Sequence, residues 1–243
     1  MRKIFILAML LLVPAAPALA GPPYVTDDPE PTDTGQFEIY LYTSETVELG
    51  STAGETGIDF NYGALPDLQL TVVAPLSYNS PPHGETVRGL GNVELEVKYR
   101  FLHQEDFGWD VALFPRISLP SPSHNLADGH ASYFLPLWAQ KDFGKWSTFG
   151  GGGCGLHRGG GAIDYCLMGW ALTREIYPGL RIGAEVYHQT ADVQGSGPVT
   201  GIGGGLSYDL NAHYHLVVSA GPGLDNAADT DRSQWYAALQ FTF

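Results

Sequence analysis

The sequence predicts an all-β protein, a transmembrane antiparallel β-barrel of about 12 strands with short periplasmic turns and longer extracellular loops. Three observations carry that expectation. Apolar and polar residues alternate with a period of two through most of the chain. No helical period accompanies them, and 31 glycines and 17 prolines among 243 residues would break most helices. Charged residues fall in mid-strand on one face, whereas aromatic residues gather near strand ends on the other.

The chain begins with a segment of different character. Arg2 and Lys3 precede an apolar run from Ile4 to Val13, and Ala18-Leu19-Ala20 is a small-x-small cleavage signal. This predicts a secretory signal peptide over 1–20, too short in its apolar core to span a bilayer as a helix. Without Arg2 and Lys3 the 12 basic residues fall to 10 against 26 acidic, a net charge of −16. Such a chain would repel nucleic-acid phosphates, so nucleic acid is excluded as a partner. Residues 21–36 are rich in proline and acid (Gly21-Pro22-Pro23-Tyr24-Val25-Thr26-Asp27-Asp28-Pro29-Glu30-Pro31 leads them) and predict a periplasmic segment. It either hangs free or tucks into the barrel, with Tyr24 and Val25 as apolar anchors.

From there the barrel is expected over 37–243. Alternating runs place strands near 36–46, 53–62, 67–77, 89–102, 108–119, 130–141, 146–156, 164–176, 180–190, 200–210, 213–221 and 233–243. Most approach the roughly 9–11 residues a tilted strand needs to cross a bilayer. Tight turns are expected at Tyr62–Pro66, His103–Phe107, Asp142–Lys145, Tyr177–Gly179 and Asn211–Ala212, alternating with longer polar links such as Asn79–Arg88, Ser121–Gly129, Ala191–Val199 and Pro222–Arg232. An even strand count puts both ends of the barrel on the short-turn side.

Alternation alone also fits a soluble sandwich. Two features favour the membrane. Phe37, Phe60, Tyr62, Tyr99, Phe101, Trp109, Trp235, Phe241 and Phe243 suit interfacial aromatic girdles facing lipid. Glu94, Glu96, Lys98 and Arg100 occupy mid-strand positions that a sandwich core would have to bury unpaired. The final strand, with Trp235, Ala237, Leu239, Phe241 and Phe243 at alternate positions, resembles the signal that the outer-membrane assembly machinery reads, centred on Phe243.

Four segments carry a family resemblance: Gly21 to Pro31, Asp67-Leu68-Gln69-Leu70, Gly89 to Phe101 (GLGNVELEVKYRF) and Ile117-Ser118-Leu119-Pro120-Ser121-Pro122. They are similar to the outer-membrane family named for the MetA pathway of phenol degradation, across essentially the whole chain after residue 20. The resemblance implies a transporter-like barrel, with aromatic or poorly soluble organics among its small solutes. The same grouping holds the functional-amyloid secretion channel, whose long N-terminal helical region has no counterpart in the short segment 21–36. Related barrels can be trimeric, which leaves a homo-oligomer open.

Within the barrel, FGGGGCGLHRGGGAIDYC (149–166) invites a chemical reading, since Gly150, Gly152 and Gly155 fit G-x-G-x-x-G. No helix follows to meet a phosphate, so the stretch is read as mechanical. Folding a hairpin at Gly160 brings Cys154 and Cys166 opposite each other, the arrangement a disulfide needs. The Gly150–Gly153 run is either a thin patch of wall or a bulge.

Lumen-lining charges are expected at Glu94, Glu96, Lys98, Arg100, Asp110, Arg116, Glu175 and Arg181. Pairing Arg100 with Asp110 would set Glu94 opposite Arg116, and Glu175 would face Arg181. Opposite charges across a strand pair form a favourable ladder that also sets selectivity. His213-x-His215 is read as a hydrogen-bonded pair rather than a metal site. Ser121-Pro122-Ser123-His124 with Asp128 and His130 sits in a loop without hydrolase geometry, and Asp225, Asp229 and Asp231 lack EF-hand spacing. No catalytic residue, metal or cofactor is expected. The reading is a passive outer-membrane channel for small solutes, in contact with lipid. Its alternative is an export or structural barrel with a plugged lumen.

Overall fold

The computed structural model describes residues 23–121, 123, 126, 129–159, 161–225 and 232–243. The expected signal peptide, Pro122, His124, Asp128, Asp229 and Asp231 lie outside the described residues.

Fourteen β segments follow in chain order: β1 (Phe37–Glu48), β2 (Ser51–Leu65), β3 (Leu68–Ser80), β4 (Val87–Leu90), β5 (Val93–Leu102), β6 (Asp110–Leu113), β7 (Arg116–Leu119), β8 (Ser132–Phe143), β9 (Trp146–Leu156), β10 (Tyr165–Tyr177), β11 (Leu180–Gln189), β12 (Val199–Asp209), β13 (Tyr214–Pro222) and β14 (Ser233–Thr242). They make 12 barrel strands, because two are interrupted. Both β4 and β5 pair with β3, and both β6 and β7 lie between β5 and β8. All pairings are antiparallel, and β1 pairs with β14 to close the barrel. The predicted spans agree with these strands to within a few residues at most ends.

The interruptions have local causes. Pro115, between β6 and β7, lacks an N–H and offers the ladder only its carbonyl, which accepts from the Val97 N–H at 3.0 Å. Gly91, between β4 and β5, donates instead to the Pro75 carbonyl at 2.9 Å. Two connections differ from expectation. The tight turn expected at His103–Phe107 is a one-turn helix α1 (Gln104–Phe107), ended by Gly108 at φ 81°. On the long-loop side, β1 and β2 are joined by only Leu49 and Gly50, at φ 52° and 73°, the left-handed pair that suits a two-residue hairpin turn.

Side chains alternate as the pattern predicted. On β5, Leu95, Val97, Tyr99 and Phe101 point outward, between 38% and 49% exposed, while Glu96 and Lys98 are buried inside. The outward set recurs around the barrel in Leu135, Leu137, Met168, Trp170, Leu172, Ile182 and Val186. A band of that size facing water would be a large exposed apolar patch; facing hydrocarbon it is solvated. Among the described residues no helix is long and apolar enough to cross a membrane, so the strands would do so.

The glycine run lies in β9 without a register shift against either β8 or β10, which excludes the bulge. It is a thin patch of wall, and the Trp170 indole packs on the outer side where a Gly150 side chain would be. Cys154 and Cys166 are register partners with Cα atoms 4.0 Å apart, joined as a disulfide. The bridge closes the β9–β10 loop over a sequence separation of 12. Loop-entropy reasoning assigns such a link roughly 2–3 kcal/mol. A Cys154→Ser/Cys166→Ser variant is expected to fold and to lose about that much stability, read as a lower midpoint in denaturant unfolding of the barrel in micelles.

Candidate functional site

The lumen is the candidate site, and its inner wall follows from strand parity. Even positions of β1 and β14, and odd positions of β2, β3, β10 and β11, face inward, as the burial of Tyr40, Tyr42, Ala238, Gln240, Asn61, Gln69, Thr71, Ala171, Thr173, Glu185 and Tyr187 shows. Into this space runs the chain N-terminal to β1. Thr26, Asp28 and Thr32 are each at most 5% exposed.

The segment is held by polar contacts on several walls. On β11, Glu185 accepts the Val25 N–H at 3.0 Å, the Thr26 N–H at 2.9 Å and the Thr26 hydroxyl at 2.8 Å. On β5, Lys98 Nζ lies 3.1 Å from Asp27 and 3.5 Å from Asp28. On β3, the Gln69 side-chain carbonyl accepts the Thr32 N–H at 2.7 Å and its hydroxyl at 3.0 Å. The Ser219 hydroxyl of β13 donates to the Pro23 carbonyl. Thr34 bridges to Gly63 before β1 begins. Glycines make the room: a side chain on Gly169 would strike Thr26, one on Gly183 would reach Tyr24, and one on Gly63 would enter the backbone of Thr32 and Asp33. Burial, and after it the neighbouring Asp28 carboxylate, pushes the Glu30 carboxyl up to about 8.

Two cavities bear on the site. One of about 390 Å³ adjoins the segment, bounded by Tyr24, Asp27 and Glu30 and by the inner faces of β1, β2, β3, β5 and β14. The second, about 410 Å³, lies nearer the long loops and includes Ser77, Ser132, His157 and Tyr165. They share Tyr42, Glu55, Val73, Glu94 and Arg116. Arg116 therefore stands at the boundary between them. Its guanidinium meets Glu94 at 3.1 Å and Glu96 at 3.7 Å and lies over the Phe134 ring, which stacks on Tyr165.

The predicted lining residues are distributed as follows. Glu94, Glu96, Lys98 and Arg116 border the 390 Å³ cavity. Arg100 and Asp110 lie at the short-turn end, where Arg100 binds Asp67 at 2.9 Å and approaches Asp110 at 3.8 Å. The register differs from expectation: Arg100 opposes Ala112, Glu96 opposes Arg116 and Glu94 opposes Ser118. The connection through α1, longer than the expected tight turn, displaces the register, and a one-residue shift between Arg100 and Leu102 offsets part of it; Arg116 reaches Glu94 diagonally. Glu175 does oppose Arg181, yet Arg181 donates to Thr173 at 3.4 Å, and no ion pair joins the two among the described residues. His213 and His215 do not form one pair. His213 lies in the turn before β13 and bonds the Thr242 carbonyl, while His215 is buried with Asp209 at 2.9 Å. That carboxylate had no sequence signal, being six residues away across a turn. Among the described residues no group of acids, histidines and cysteines could hold a metal ion. Glu185 and Gln69, the main holds on the segment, were also missed; their inward parity was readable, their partners were not.

A closed antiparallel barrel with a polar lumen and an apolar outer band defines the outer-membrane β-barrel class, and solved structures of that class match it. The COG4313 outer membrane channel from Pseudomonas putida F1 superposes with a TM-score of 0.68 at 14% identity, covering 89% of this chain and 98% of its own. KdgM porin in complex with disordered oligogalacturonate gives 0.58 at 10% identity, covering 84% and 99%. NanC porin gives 0.57 at 13% identity, covering 83% and 98%. No curated protein sequence matches the chain. The family model described as "Putative MetA-pathway of phenol degradation" matches residues 21–233, and the chain belongs to that family.

Because Glu185 supplies three of the segment's hydrogen bonds, Glu185→Ala is expected to loosen its grip. The Val25 and Thr26 amides should then exchange at least about tenfold faster in hydrogen–deuterium exchange, with the barrel-strand amides unchanged.

Proposed function

We propose that this protein resides in the outer membrane as a channel through which small solutes move down their gradients, and that residues 23–36 hold it closed in the arrangement described. The observation that carries this reading is how the segment is seated. Its polar anchors are hydrogen bonds and ion pairs to lumen side chains, each replaceable by water, and its ring contact is Tyr24 against Phe149. What it blocks is a polar passage already partly hollow.

The likeness to channels and porins supports transport rather than catalysis, and no residue is assigned a bond-making role. The surplus of acid along the lumen favours cations and neutral solutes over anions. Passage of aromatic or poorly soluble organics rests on the family's description alone. Export by cleavage after Ala20, contact of the outer band with lipid and assembly through the Phe243 strand complete the reading. A second reading, an export or structural barrel that passes no small solute, is favoured by the same seated segment if it never leaves.

Single-channel recording in planar bilayers separates the two. The channel reading expects rare, discrete steps from the full barrel and frequent ones from a barrel lacking residues 21–36. Silence from both folded forms would favour the structural reading. The pH response follows from Glu30, which faces Asp28, Asp142, Asp110 and Arg100. Seating raises its carboxyl from the ordinary 4.5 to about 8, so seating takes up a proton between those values. The closed state is therefore strongest toward the acid end of that window and weakens as pH rises through it. Open probability is expected to climb with pH across the window and then level, and Glu30→Gln should flatten the climb.

A further inference from the structure

The wall formed by β14, β1 and β2 turns three carboxylates and three tyrosines toward the 390 Å³ cavity. Glu38, Tyr40 and Tyr42 come from alternate inward positions of β1, Glu55 and Asp59 from β2, and Tyr236 from β14, and all six line the 390 Å³ cavity. Register sets Tyr40 directly beside Asp59.

Each carboxylate accepts from a neutral neighbour. Glu38 accepts the Tyr40 hydroxyl at 3.3 Å, Glu55 the Tyr42 hydroxyl at 2.9 Å and Asp59 the Asn61 amide at 2.8 Å. A carboxylate has about four acceptor positions, so each can accept more than these bonds supply. Among the described residues no Lys, Arg or His nitrogen forms an ion pair with any of the three. The two cations that border the cavity are engaged elsewhere, Lys98 by Asp27 and Asp28 and Arg116 by Glu94 and Glu96.

Among the described residues these acids do not converge as a metal site would require. They are spread along a wall whose other component is aromatic. Tyr42 and Tyr236 stack with centroids 5.9 Å apart, and Tyr40 and Tyr42 are buried with Val217 and Ala238. Carboxylates interleaved with tyrosine rings suit a cation that is diffuse and partly apolar, since the rings attract such a charge through their faces and cover its carbon atoms.

We propose that this cavity is a binding subsite for small organic cations, amines or quaternary ammonium compounds, with charge met by Glu38, Glu55 and Asp59 and carbon surface met by Tyr40, Tyr42 and Tyr236. The proposal rests on the channel reading above and gives it a solute class.

The test is calorimetric titration of the full-length barrel in micelles with benzylammonium, and with benzyl alcohol as the uncharged probe of the same ring. Benzylammonium should bind at least about tenfold more tightly, and Glu55→Gln/Asp59→Asn should remove that advantage. Heat-modifiable gel mobility checks that the variant folds; if it does not, Glu38→Gln and Tyr236→Leu, each expected to weaken benzylammonium severalfold, replace it. Equal binding of the two probes, or an advantage unchanged in the folded variants, overturns the subsite. Potassium chloride conductance of the same preparations, with residues 21–36 present and removed, is read alongside. Conductance without selective binding leaves the channel standing and the subsite fallen; selective binding with no conductance in either form does the reverse.

Discussion

Inside hydrocarbon a strand has no water to receive its backbone N–H and C=O groups, so every one must find a neighbouring strand. The pairing of β1 with β14 meets that requirement for the whole sheet, through ten register positions from Glu38 with Thr242 to Val47 with Ser233. Without it, two edges would stand unpaired on opposite sides of an open sheet. With it, the inner and outer faces are fixed for every residue. Leu41 and Leu239 turn to the outside because Tyr40 and Gln240 turn in, and the same parity passes from strand to strand around the ring. Even the departures obey the constraint: where Pro115 and Gly91 interrupt a strand, the Val97 N–H and the Pro75 carbonyl are still satisfied.

Closure creates a second problem, because a 12-stranded ring encloses more space than its own side chains fill. Tyrosines and apolar residues pack one side, where Tyr40, Tyr42, Val217 and Ala238 are almost fully buried. The N-terminal segment occupies much of the rest. Its route needs the wall to be thin where it passes, and Gly63, Gly169 and Gly183 supply that. Its composition makes it suitable: prolines keep it extended without asking for ladder partners, and acids give it handles for Lys98.

How much of this was legible in the sequence follows from the range of each interaction. Strand positions were legible because period two is local, and 93–101 shows it without exception. The Cys154–Cys166 pairing was legible because both residues are equidistant from one turn. The register between the fourth and fifth barrel strands was not, because the one-turn helix α1 that lengthens their connection leaves no mark in the alternation. The seating of 23–36 was least legible of all. Its partners Glu185, Gln69 and Ser219 lie as far as 196 residues away, and nothing near them in sequence announces what they hold. His215 and Asp209 show the same limit at shorter range, since only the turn geometry brings them together.

The seated segment also sets the charge of the passage it fills. Lys98 lies at most 4% exposed between Asp27 and Asp28, while on another wall Glu185 is satisfied by three donors from Val25 and Thr26. Withdrawal of the segment would leave a bare ammonium on β5 and a bare carboxylate on β11, and an unpaired buried charge is costly until water reaches it. That cost is a restoring force toward the closed arrangement, and it falls as the lumen hydrates. Withdrawal would also remove Asp27 and Asp28 from the passage while Lys98 stays behind. The open lumen is thus less acidic than the closed one. The carboxylates of β1 and β2 then weigh more heavily in its selectivity, because they are fixed to the wall and do not leave with the segment.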